Sequence, residues 1–158
     1  MDRDSSLRSH LVALLTVRQA HGTFEDAIDG LPPDLRGIRP EALPYSVWEL
    51  VEHIRIAQFD ILDFCRTPDY EPPAWPDDYW PDTVAPPSDE AWPTSVQQVM
   101  DDRAAMCDLV RDESIDLHDE IPHGDGQTVL REAMLVADHT AYHVGQIVAV
   151  RRCLNAWD

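Results

Sequence analysis

Basic side chains are scarce in this chain. Arginine and lysine together number 12 against 30 aspartates and glutamates, a formal net charge of −18 over 158 residues. Attraction to a phosphate backbone or an anionic membrane surface depends on clustered cations, so neither nucleic acid nor a membrane is an expected partner. Cysteine is scarce as well. Cys65, Cys107 and Cys153 are odd in number, widely spaced and form no CxxC pair, which argues against a disulfide framework and against a structural zinc site. Each falls in an apolar helical pattern and reads as a small core residue in a reducing cytoplasm. No run approaches the roughly 18 apolar residues of a membrane-spanning helix. The opening MDRDSSLRSH is too polar to begin a secretory signal, so the cytoplasm is the expected location. Internal repeats and strand-like alternation are missing too, as is the HExxH motif of helix-borne metalloproteases.

What remains is ordinary globular material with helical periodicity. Apolar residues make up 44%, and a chain of this length fits one domain, 1–158, that buries roughly 70% of its unfolded surface. Leu7, Leu11, Leu14, Leu15 and Val17 recur at spacings of three and four, predicting a first helix over about 5–28. A proline-broken stretch follows. Ser46 with Glu49 three residues on forms a capping box, and Val47, Leu50, Val51, Ile54, Ala57, Ile61, Leu62 and Cys65 continue a second helix that ends before Pro68. A third starts between Ser88 and Thr94 and runs to about Asp112. The fourth starts near Thr128 and runs to about Cys153, with Arg151 and Arg152 at its C-terminal end, where the helix dipole favours cations.

The stretch 68–93 carries eight of the 13 prolines together with Tyr70, Trp75, Tyr79, Trp80 and Trp92. A disordered linker lacks aromatics, so this stretch reads as an ordered crossover lying against the helices. Extended chain rises about 3 Å per residue, enough to return along a helix of roughly 30 Å. The helices on either side are then parallel. The fold class is all-α, a four-helix bundle with one long crossover between helices 2 and 3.

Three histidines stand out. His139 and His143, in ADHTAYHVGQI, lie one helical turn apart on one face, about 6 Å apart at Cβ. His53, in WELVEHIRIA, sits among Leu50, Ala57 and Ile61 and should face inward. An inward histidine needs partners for its ring nitrogens, and a metal shared with two histidines across the core supplies one. Three neutral imidazoles leave coordination positions open, as in catalytic rather than structural sites. Glu49 and Asp60, four before and seven after His53, project near its side. Either could accept an imidazole proton or act as a general base, though Glu49 is also the capping-box acid. Gln146, three after His143, could donate to substrate, and Gly145 could admit a neighbouring helix. His10 and His21, on one face of the first helix, and His118 and His123, in a loop, read as surface or packing residues.

The WELVEH run, the aromatic and proline-rich crossover and the closing HTAYHVGQI together resemble the DinB/YfiT-like metalloenzyme family over nearly the whole chain. The resemblance implies an up-down-down-up four-helix bundle. It implies one divalent metal ion per chain, zinc or nickel, held by residues matching His53, His139 and His143. It also implies a homodimer, a link to stress responses, and chemistry like that of transferases and isomerases that use a small cofactor thiol. The leading expectation is a metal-dependent enzyme acting on a small molecule, a hydrolase or a thiol transferase. The competing one is a non-catalytic, metal-binding or dimerising bundle.

Overall fold

Helices in this protein start where side chains can occupy their unpaired amides. The computed structural model describes residues 2–157. Helix α1 (Arg3–Thr16) begins at Asp2, whose carboxylate accepts from the Ser5 amide at 2.8 Å. Helix α3 (Val47–Arg66) begins at Ser46 with the expected capping box, Ser46 and Glu49 each accepting the other's main-chain N–H. Helix α4 spans Ala91–Arg111, and α5 spans Val129–Cys153 behind an N-cap at Thr128.

The expected first helix over 5–28 is two helices. The chain leaves α1 in extended conformation at Val17, and a second capping box, Thr23 with Asp26, starts the short α2 (Phe24–Ile28). Arg18 pairs with Asp26 across the break. The break turns α2 so that Phe24 and Ala27, 2% and 1% exposed, enter the core. It also removes His21 from the face of His10: His21 lies in the connection, its Nδ1 donating to the Gly22 carbonyl.

Two apolar clusters fix the helix directions. One joins Phe24, Leu31, Val47, Leu50, Val51, Ile54, Trp92, Val99, Val144, Ile147 and Val150. The other joins Leu11, Leu15, Leu62, Met106, Cys107, Val110, Val129, Ala133 and Val136. The first halves of α3 and α4 therefore share one end of the bundle and their second halves the other, so they run parallel. Helix α5 runs opposite to both. Arg8, near the start of α1, reaches the carbonyls of Val110, Asp112 and Ile115 at the end of α4, so α1 runs against α4. The order is up-down-down-up. Fully burying a side chain such as Leu50, Ile54, Met106 or Ile147 stabilises the fold by about 1.5–3 kcal/mol each. Among the described residues there is no strand, only an isolated bridge between Glu120 and Thr128. No helix among them is long and apolar enough to cross a membrane.

The crossover lies against the bundle. Tyr70 and Tyr79 donate their hydroxyls to Asp60. Trp48 donates to Thr83, and Ser46 to the Val84 carbonyl at 2.6 Å. Gly37 lets Ala85 approach so closely that a Cβ there would sit 2.2 Å from the Ala85 Cβ. Two aromatics depart from the expectation. Trp75 is 74% exposed, and Trp92 belongs to the first turn of α4, where it packs in the core. Cys107 is buried and Cys65 partly buried, but Cys153 is exposed at the end of α5. Gly145 is exposed, and among the described residues nothing lies within 4 Å of where a Cβ would sit, so no described helix approaches there. Arg151 does more than complement a helix end: it donates to the carbonyls of Ala27, Asp29 and Ala156 and lies over the Trp157 ring.

Candidate metal centre

His53 from α3 meets His139 and His143 from α5 in a triangle of rings. Centroid separations are 4.9 Å for His53 and His139, 4.5 Å for His53 and His143, and 4.4 Å for His139 and His143. One ring nitrogen from each residue lies within 4.8 Å of the other two. The Nε2 atoms of His53 and His139 are 3.1 Å apart. Two ligands of a tetrahedral ion at 2.0–2.1 Å bonds stand about 3.3 Å apart, so this spacing is that of ligands sharing one ion.

Hydrogen bonds select the nitrogen that each ring presents. The Nδ1 of His53 donates to the main-chain carbonyl of Tyr79 at 2.7 Å. The Nδ1 of His143 donates to Oε1 of Gln146 at 2.6 Å. Both acceptors hold the proton on Nδ1 and leave Nε2 with a free lone pair. Burial disfavours the charged form of all three rings. It lowers the pKa of His139 to about 3, with the neighbouring His143 and His53 adding to the effect. It lowers that of His143 to about 4 against the opposing bond to Gln146. His53 is lowered too, burial outweighing its bond to Tyr79. At neutral pH the cluster is three uncharged imidazoles, the state in which histidine ligates a metal.

Aromatic rings wall the cluster. Trp80 stacks on His53 at 4.0 Å with an interplanar angle of 2°, and Tyr45 stacks on the other face of Trp80 at 4.3 Å. Tyr142 packs edge-on against His143 and is 65% exposed, marking a side open to solvent. The donor set, the spacing and the fixed ring protons fit a divalent ion.

The candidate carboxylates do not touch the histidines. Both oxygens of Glu49 accept from Arg39, and one also accepts from the Ser46 amide. Burial would raise its pKa, but these donors outweigh it and hold the carboxyl below its usual range. Asp60 accepts from the hydroxyls of Tyr70 at 2.5 Å and Tyr79 at 2.6 Å. Gln146 contacts His143 through its oxygen and donates its Nε2 to the Tyr142 hydroxyl at 3.3 Å. His123 bonds the Phe64 carbonyl instead. Sequence reasoning missed the Tyr79 carbonyl and the Trp80 ring. A main-chain acceptor has no residue signature, and the aromatic richness of the crossover was the only pointer to the stack.

An up-down-down-up helical bundle with three convergent imidazoles is a framework that could hold a metal ion between antiparallel helices. The family model of the DinB superfamily matches residues 16–147, which include all three histidines, and the chain belongs to that superfamily. No curated protein and no solved structure matches it closely enough to add a nearer relative.

Proposed function

We propose that the protein is a divalent-metal-dependent enzyme acting on a small molecule, of the hydrolase or thiol-transferase type, with His53, His139 and His143 as metal ligands. The observation that carries this reading is the pair of tied Nδ1 protons on His53 and His143 in a cluster whose ring nitrogens lie within 4.8 Å of one another. Zinc or nickel suits neutral imidazole donors, and a small cofactor thiol is the proposed co-substrate for transfer chemistry. A divalent ion with open positions supplies Lewis-acid activation of a water or a thiol. The chain's own part is to present three uncharged imidazoles, exclude water on the Trp80 side and admit substrate on the Tyr142 side. Gln146 serves substrate indirectly, by orienting His143 next to that opening.

One observation favours a second reading, a metal-binding bundle without catalysis: both nominated carboxylates are engaged elsewhere. Metal analysis of the purified protein, then an assay panel of hydrolysis and thiol transfer, separates the two. The enzyme reading expects about one ion per chain and turnover that vanishes in His143→Ala. Metal at about 1,000 times Kd should add roughly 4 kcal/mol of stability, on the order of 8–16 °C in Tm. Metal content unchanged by replacing any of the three histidines would sink the site itself. Full occupancy with no turnover across the panel would leave the binding reading. The protein is further proposed not to bind nucleic acid, since 12 basic residues stand against 30 acidic ones and phosphate binding needs clustered cations.

A further inference from the structure

We propose that Asp60 is a positioning residue for the metal ligand His53, acting through Tyr79 of the crossover. The inference rests on the three-histidine reading above. Asp60 follows His53 by seven residues, two turns along the same face of α3, about 10 Å away at the helix rise. Its two oxygens hold two different tyrosines, Tyr70 on Oδ1 and Tyr79 on Oδ2. Tyr79 then returns to the same helix with its main chain, where its carbonyl accepts the Nδ1 proton of His53. One residue is thus tied to α3 at both ends, by its hydroxyl to Asp60 and by its carbonyl to His53.

This double tie fixes two things at once. The Tyr79 peptide cannot rotate its carbonyl away from His53 without straining the phenol bond to Asp60. Trp80, the next residue, is thereby held where it lies flat on the His53 ring. The carbonyl sets which nitrogen of His53 carries the proton, and the indole sets the plane of the ring. Two phenol hydroxyls converge on the one carboxyl group at 2.5 and 2.6 Å, which makes Asp60 the fixed point of the clamp. Burial, and then the bonds to Asp60, keep both phenols protonated well above neutral pH, so the donors stay in place. The contacts that orient a ligating histidine commonly alter metal affinity 10–100-fold when lost.

The test uses the full chain with zinc as the probe. Zinc affinity is read by competition with a chromophoric chelator. Exchange of the His53 ring proton is read by nitrogen-edited NMR on the metal-free protein. Asp60→Ala and Tyr79→Phe should each weaken zinc binding by about 10–100-fold and speed exchange of the Nδ1 proton. Asp60→Asn, which keeps one acceptor oxygen, should fall between Asp60→Ala and the unaltered protein. Tyr70→Phe, which loosens the crossover without freeing Tyr79, should change both readings least. Tyr79→Phe keeps the ring and the main chain, so it serves as the decisive variant if Asp60→Ala loses helix content. Affinity and ring-proton exchange in Tyr79→Phe indistinguishable from the unaltered protein would overturn the proposal. If the unaltered protein binds neither zinc nor nickel, the three-histidine reading falls, and ring-proton exchange still decides whether Asp60 positions His53.

Discussion

Gln146 accepts a hydrogen bond from the Nδ1–H of His143 at 2.6 Å, three residues further along α5. The amide oxygen expected to serve a substrate therefore serves a ring. Replacing Gln146 with Leu removes the acceptor and frees His143 to place its proton on either nitrogen. Zinc affinity should fall by about 10–100-fold, while the melting temperature of the metal-free protein changes little because Gln146 is only partly buried. Gln146→Glu, which still accepts, should recover most of the affinity. Titration against a chelator reads both variants.

Stability of the metal-free protein should fall with acid, and the sign follows from the histidines. In the unfolded chain they titrate near 6.5; in the folded chain His143 titrates at about 4 and His139 at about 3. Between pH 6.5 and those values the unfolded state binds more protons, so protonation favours unfolding. Well above pH 6.5 all three are neutral in both states and contribute no slope. Denaturant midpoints should therefore decline from pH 6.5 downwards, and the decline should shrink in a protein with His139→Phe and His143→Phe. An equal slope in both proteins would assign the acid sensitivity to other groups.

Arg8 should be a large contributor to stability for a single side chain. It is 8% exposed and donates to three carbonyls at the end of α4 and just beyond it, where a cation also complements the helix dipole. Arg8→Ala leaves those carbonyls without their donor and should cost about 2–4 kcal/mol. That corresponds to a Tm lower by roughly 5–15 °C. Arg8→Lys should recover only part, since an ammonium lacks the planar fork that spans the acceptors. Thermal melts of the two variants check this.

Turnover, where it is found, should survive loss of the chain's own thiols. Burial raises the pKa of Cys65 to about 12 and also raises that of Cys107, so neither is a ready thiolate. A protein with Cys65→Ser, Cys107→Ala and Cys153→Ser should keep its metal and most of its activity. Activity lost with metal occupancy unchanged would return the nucleophile to a cysteine.

We expect a homodimer whose stability rises with ionic strength. Subunits of charge −18 repel each other at low salt, and screening relieves that repulsion. Light scattering from low to moderate salt should show the dimer fraction increasing. A monomer at every salt concentration would refute it.

The parts of this protein written in local chemistry were readable in advance. Ser46 with Glu49 placed the start of α3, because a side chain accepting from a nearby amide depends only on sequence spacing. The parallel α3 and α4 followed from the length of the crossover. The histidine pair on α5 and the inward His53 followed from helical period. The break after Thr16 was harder to see. Apolar residues continue past it, and the capping box at Thr23 closes with an aspartate rather than the usual glutamate or glutamine. The partners of Asp60 could not be read from period at all. Tyr70 and Tyr79 arrive from ten and nineteen residues away along an irregular chain.

The stack of Trp80 on His53 places an indole in van der Waals contact with a metal-ligand candidate, the rings nearly parallel with centroids 4.0 Å apart. An excited indole is quenched by a protonated imidazole and responds differently to one whose lone pair is engaged. The protein therefore carries its own optical gauge. Against a background in which Trp80 is replaced by Phe, its emission can be isolated from that of Trp48, Trp75, Trp92 and Trp157. The state of a single imidazole can then be followed in real time, without a label, as acid, chelator or substrate is added.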